Sequence, residues 1–146
     1  WYRPKFGDTG YAKFLVYCES DAENFLGLRM TTAHEIRFVI KVADTAYGLT
    51  SQPLDRALTY YHIVATWGTG GMRLYIDDKE ADYSESSGLA YEGGLRGGNW
   101  DAYYPSTFMV GNKVAGNGRQ CDGYIDELRI YGYRATSEYV EVGPVP

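Results

Sequence analysis

The eight residues EIRFVIKV, 35–42, place Ile36, Phe38, Ile40 and Val42 on one side and Glu35, Arg37, Val39 and Lys41 on the other. Apolar side chains at every second position suit a β-strand with one dry face; a helix would scatter them around its circumference. A sheet built from such strands needs a second layer to cover that face. The same period recurs along the chain. YAKFLVYC groups Phe14, Val16 and Cys18, NFLGLRM groups Leu26, Leu28 and Met30, and MRLYID sets Met72, Leu74 and Ile76 against Arg73, Tyr75 and Asp77.

YYHIVATW and MRLYID are separated by Gly68-Thr69-Gly70-Gly71, which predicts a hairpin. Asp77-Asp78 suits a second tight turn into KEADYS, because Asp tolerates the left-handed backbone that such turns need. STFMVG and YIDELRIY supply further strands, and turn signals lie between them. The helical signal is confined to a turn near the end, where Thr136 or Ser137 would cap SEYV. The expectation is an all-β fold, two antiparallel sheets packed face to face as a β-sandwich.

At 146 residues, the chain is one domain's worth, and residues 1–146 are read as a single sandwich. A composition of 45% apolar and 23% charged residues excludes a disordered chain, while 18 Gly and 15 Tyr agree with a turn-rich β protein. The formal net charge is −5, and the sequence holds no Lys/Arg run of the kind that neutralises a phosphate backbone. Nucleic acid and anionic membrane surfaces are therefore disfavoured partners. No apolar run approaches the roughly 20 residues that span a bilayer, so membrane insertion is not expected. The opening WYRPKF reads as the end of a strand running into a loop, and the chain is taken as a piece of a longer polypeptide with neighbouring domains.

Cys18 and Cys121 lack the CxxC spacing of a zinc or redox site. Two readings stand for them: one disulfide, if the compartment is oxidising and the Cα atoms lie within about 7 Å, or two buried thiols acting as small apolar residues.

YYHIVATWGTGGMRLYIDDKEADY resembles the W-H-H-V-A…L-Y-V-D-G-K segment of the laminin-G-like jelly rolls of the concanavalin A-like lectin/glucanase superfamily. FMVGNKVAGNGRQCDGYIDELRIYGYRATSEYV resembles their closing segment, D-G-x-I-D-E-V-R-I-Y-x-R-A-L-S after an irregular loop. In that segment Asp122, Gly123, Ile125, Asp126, Glu127, Arg129, Ile130, Tyr131, Arg134 and Ala135 keep identity and spacing. Tyr60 and Tyr61 replace the motif's Trp and first His, and Asp78 stands where a hairpin Gly is usual. The resemblance implies a concanavalin A-like jelly roll whose first strand is cut short before Trp1. Some members of the family carry a structural Ca²⁺ with ligands from the N-terminal region.

Strict alternation through Tyr124, Asp126, Leu128 and Ile130 points a carboxylate the same way as three apolar side chains. A buried carboxylate must be compensated, by Arg129, by Arg134 or by a bound cation, for which Ca²⁺ is suited. Alternatively, a β-bulge at Asp126-Glu127 resets the parity, with Asp126 in solvent and Ile125 inward. The related glucanases use E-x-D-x-x-E, in keeping with the carboxylate pair that a retaining glycosidase needs. Here Asp77 and Glu80 fit, but Tyr75 takes the first Glu position; at Asp126 the flanking positions hold Tyr124 and Arg129. No catalytic residue is therefore assigned, and His62 is read as a strand residue of the hairpin.

The long irregular segment from Gly88 to Pro105 carries Asn99, Trp100, Asp101, Tyr103 and Tyr104. Flat aromatic faces beside amide and carboxylate groups suit a glycan; they also suit a protein partner, or plain packing of the loop. The functional expectation is a non-catalytic extracellular or surface-exposed adhesion module, binding glycan or protein through its loops. Its rivals are a structural module of a fibre, pilus or virion surface, and, third, a glycoside-active enzyme.

Overall fold

The computed structural model describes residues 1–7, 11–21, 23–67, 72–81, 107–113 and 119–130, and every regular element among them is a β-strand. In chain order these are β1 (Tyr2–Pro4), β2 (Lys13–Asp21), β3 (Asn24–Met30), β4 (Glu35–Val42), β5 (Thr45–Pro53), β6 (Ile63–Thr66), β7 (Arg73–Ile76), β8 (Lys79–Glu80), β9 (Thr107–Val110) and β10 (Gly123–Ile125). Among the described residues no helix is long and apolar enough to cross a membrane.

One layer has the strand order β5-β4-β3-β2-β9, all antiparallel. The second contains β6-β7-β8 and β1-β10, joined where the Tyr2 and Tyr61 N–H groups each donate to the other's carbonyl, at 2.9 and 2.8 Å. The core lies between the layers. Leu15, Leu26, Met30, Ile36, Phe38, Ile40 and Leu49 of the first meet Tyr2, Tyr61, Met72 and Leu74 of the second. Each large apolar side chain buried there contributes about 1.5–3 kcal/mol relative to exposure. The alternation of β4 holds as expected, with Ile36 and Ile40 fully buried and Val42 packed against the same core.

Two elements depart from the sequence expectation. Phe14 does not share a face with Val16 and Cys18, because a register shift between Phe14 and Val16 opposes Phe14 to Arg29 and Val16 to Leu28. The bulge turns Leu15 into the core and leaves Phe14 on the outer side. The other departure is β5, whose Gly48, Thr50, Ser51 and Gln52 hide its alternation. It returns along β4 through a turn at Ala43 and Asp44, both with positive φ, and Ala is a residue that sequence reasoning does not expect there.

In the second layer β6 pairs with β7 and β7 with β8 as expected, while the Gly68-Thr69-Gly70-Gly71 connection lies outside the described residues. Ala65 pairs with Leu74, and Asp77 and Asp78 turn at φ of 50° and 66° into β8.

The last segment separates the two readings of Asp126, placing it in solvent with Ile125 inward. Ile125 pairs with Tyr2 and packs on the core, the Trp1 and Asp126 main chains exchange hydrogen bonds at 2.8 and 2.9 Å just beyond it, and residues 126–130 are not strand. Glu127 takes φ +48°, the Asp126 side chain is exposed, and its Oδ1 accepts the Glu127 N–H at 2.9 Å. Tyr124, Leu128 and Ile130 are exposed as well. The carboxylate is therefore not buried: Tyr124 and Asp126 share the wet side while Ile125 between them faces the core, so the conflict came from assigning Tyr124 to the dry face.

Cys18 and Cys121 are both free thiols. Cys18 stands opposite Phe108, whereas the Cys121 N–H donates to Gly111, three residues farther on.

Candidate functional site

Asn99, Trp100, Asp101, Tyr103 and Tyr104, the loop residues singled out from the sequence, lie outside the described residues, as does Arg134. The described residues instead bring together a group on the outer face of the five-stranded layer. Across β2 and β3, Phe14 stands opposite Arg29 and Tyr17 opposite Gly27; across β3 and β4, Arg29 stands opposite Arg37 and Phe25 opposite Lys41. The bulge in β2 is what brings Phe14 to this face.

Gly27 makes room for the rings. A Cβ there would lie 3.2 Å from Phe14 Cε1 and 3.7 Å from Tyr17 Cδ2, so the two rings lie directly on the backbone. Phe14 and Tyr17 meet edge to face with centroids 5.3 Å apart, and Tyr17 and Phe25 follow at 5.6 Å. Such aromatic pairs contribute about 0.5–1.5 kcal/mol beyond the area they bury. At 2% and 1% exposure, Phe14 and Tyr17 are a floor, covered by what lies above them.

Cations lie above that floor. The Lys113 ammonium is 5.0 Å from the Tyr17 ring centroid, 5.5 Å from Phe25 and 5.7 Å from Phe14, and the Arg29 guanidinium is 5.5 Å from Phe14. Arg119 is held beside β2 by the bond from the Phe14 N–H to its carbonyl, 3.1 Å, and its guanidinium is 5.9 Å from the Tyr11 ring. Tyr11 is 56% exposed.

The charges on this face oppose one another. Burial holds the Arg29 guanidinium below its usual pKa, and Arg37 and Arg119 add like-charge repulsion. Burial likewise lowers the Lys113 ammonium, with Arg119, Arg29 and Lys41 acting in the same direction and Glu19 against it. Burial first, and then the Glu19 carboxylate, push the Tyr17 hydroxyl up. Lys41 is paired with Asp44 at 2.5 Å. The Nε atoms of Arg29 and Arg37 are buried and have no hydrogen-bond partner. Sequence reasoning missed this basic group, because its members come from four separate segments and no two are adjacent in the chain.

The carboxylates raised as catalytic or metal-binding candidates serve local structure. Asp77 Oδ1 accepts the His62 N–H at 2.8 Å within the hairpin, and Glu80 is ion-paired with Arg73. His62 has its pKa lowered chiefly by burial. Ca²⁺ takes six to eight oxygens. Among the described residues no three His, Cys, Asp or Glu side chains gather to hold a metal ion, and Asp126 Oδ1 accepts the Glu127 N–H.

The family model Laminin_G_3, described as the concanavalin A-like lectin/glucanases superfamily, matches residues 1–141. Among solved structures, the chain is similar to an S-layer domain-containing protein (residues 221–444) from Clostridium thermocellum ATCC 27405, with 15% identity and a TM-score of 0.44. That match covers 92% of this chain but 64% of the other, so the chain spans about two thirds of that structure's length. No curated protein matches the sequence.

Proposed function

The chain belongs to the laminin-G-like family of the concanavalin A-like lectin/glucanases superfamily, and from that premise we propose that it is a non-catalytic binding module, displayed outside the cell or on a surface, that adheres to glycan. The observation that carries this reading is the basic and aromatic outer face of the five-stranded layer, where Arg29 and Lys113 lie over the Phe14 and Tyr17 rings and exposed Tyr11 stands beside Arg119. The loop carrying Asn99, Trp100, Asp101, Tyr103 and Tyr104 is proposed to contact glycan as well, through stacking and hydroxyl recognition. Against catalysis stand Tyr75 and Tyr124 where a carboxylate is needed, and the structural engagement of Asp77 and Glu80.

A glycan array probed with the wild-type chain and with Trp100→Ala tests the proposal. Retention of the wild type and loss of retention in the variant, at unchanged melting temperature, are expected. A wild-type chain retained by no glycan would overturn it.

One observation favours the rival reading, a structural module of a surface assembly. Among the described residues, strand β9 ends the five-stranded layer and carries exposed Phe108 and Val110, a combination that invites edge pairing with another chain. Light scattering across a concentration series separates the two: assembly predicts growth in mass that Val110→Lys abolishes.

A further inference from the structure

We propose that His62 is a proton-operated fastening within the second layer: neutral, it holds the Trp1 end of the β1–β10 ladder against β6-β7-β8, and protonated, it turns to Asp78 and lets that end go.

The contacts around it form a chain of pairs. The His62 imidazole lies against the Trp1 indole, with ring centroids 4.9 Å apart and planes inclined at 37°. On one side, the His62 backbone is clamped to the turn between β7 and β8: its N–H donates to Asp77 Oδ1 at 2.8 Å, and the Asp77 N–H donates to the His62 carbonyl at 2.9 Å. On the other side, the Trp1 backbone is clamped to the end of β10. The Trp1 ammonium donates to the Asp126 carbonyl at 2.8 Å, and the Asp126 N–H donates to the Trp1 carbonyl at 2.9 Å. The two rings therefore join two hydrogen-bonded pairs through side chains alone.

One contact in this group is left open. His62 Nδ1 is buried without a hydrogen-bond partner, and Asp78 Oδ1 stands 3.8 Å from it, too far for a hydrogen bond. A neutral imidazole tolerates that gap better than an imidazolium, which has a donor on both nitrogens and a charge that is costly to leave unpaired. Movement of about 1 Å closes it. The charged groups that face His62 among the described residues agree on the direction: Asp78 and Asp77, from the turn, attract a proton on the ring, and the Trp1 ammonium repels it. That ammonium faces Asp126, Glu127 and Arg129 in its turn. Burial and then the ammonium outweigh the two carboxylates, so His62 titrates below its ordinary value. Above about 6.5 the imidazole is neutral in folded and unfolded chains alike, and the fastening is complete. As the pH falls from there, the unfolded chain takes the proton first, so the fastened state loses stability through the lower value of the folded chain. A module built in this way grips the end of β1 near neutral pH and yields it in acid.

The test is amide hydrogen exchange of the chain between pH about 7.5 and 5, corrected for intrinsic exchange rates, with the ring signals of its two histidines, His34 and His62, followed by NMR over the same range. Protection of the Asp126 N–H, which bonds the Trp1 carbonyl, should fall at least about tenfold as His62 takes its proton. In His62→Gln that protection should no longer vary with pH. Asp78→Asn, which removes the acceptor, should move both the His62 titration and the loss of protection to lower pH, and serves as the second variant should His62→Gln fail to fold. An equal fall in His62→Gln would assign the effect to carboxylates and overturn the inference. So would a protonated His62 that stays against the Trp1 ring with Asp126 still protected, or a titration that Asp78→Asn leaves unmoved.

Discussion

Arg29 and Arg37 stand directly opposite each other in the β3–β4 ladder, each with a buried Nε that meets no acceptor. Cation–π contact with Phe14 supports Arg29 from one side, at about 0.5–1 kcal/mol. Like-charge repulsion across the ladder works against that contact. Arg37→Met keeps the length of the side chain and removes the repulsion, so the folded state should gain about 0.2–1 kcal/mol. The urea midpoint of the unliganded chain measures this, and a midpoint that falls would mean that the pair is already neutralised by an acceptor.

Gly123 sits where the β1–β10 ladder leaves no room. Its φ is +145°, and a Cβ would lie 2.3 Å from the Arg3 carbonyl oxygen and 3.1 Å from Pro4 Cα. Both obstacles are backbone and cannot swing away. Gly123→Ala should lose at least about 2 kcal/mol through clash and left-handed strain. Thermal unfolding reads the effect, and Gly27→Ala serves as the contrast, because its nearest contact at 3.2 Å is a Phe14 ring atom that can shift slightly.

Tyr61, which stands where the family motif carries a His, closes a corner between the layers. Its hydroxyl accepts the Arg56 N–H at 2.9 Å and donates to Asp55 Oδ1 at 2.8 Å. Tyr61→Phe leaves that N–H without its acceptor and should destabilise the fold by about 1–3 kcal/mol. Tyr61→His is expected to recover part of the loss. Equal midpoints for Phe and wild type would show that water replaces the hydroxyl.

Burial pushes the Cys121 thiol up to about 11, above the ~8.5 of a free thiol. Below about 8.5 both folded and unfolded chains hold the proton, and the stabilisation is complete. As the pH rises from there towards 11, the unfolded chain releases the proton and the folded chain does not, so stability falls. Cys121→Ala should flatten the slope of unfolding free energy against pH between about 8.5 and 10. Alkylation of native protein at pH 8 should be slow at Cys121, and intact mass without reductant should show two free thiols.

The layered architecture was legible because period-two patterning survives wherever one strand face is dry. Ile36, Phe38 and Ile40 announced β4, and Asp77-Asp78 announced a turn whose left-handed geometry Asp tolerates. The same rule failed at Phe14 and at Asp126 for different reasons. The register shift after Phe14 resets parity with no visible sign in the sequence, whereas Tyr124 and Asp126 keep their parity but lie on the wet side, with Ile125 inward. The turn at Ala43 was hidden in another way: Asn24 accepts its N–H at 3.1 Å from a neighbouring strand, so the support for its conformation is tertiary.

By itself, the sequence determined that strands would alternate and pair in two layers, because alternation is a local property of the backbone. It also carried the family, through motifs at the hairpin and the closing segment. Only the tertiary structure decided that Arg29 and Lys113 lie over Phe14 and Tyr17, with Arg37 and Arg119 close to Arg29. Register and loop closure set that convergence, and both are fixed by what a strand meets in space rather than by what precedes it in the chain.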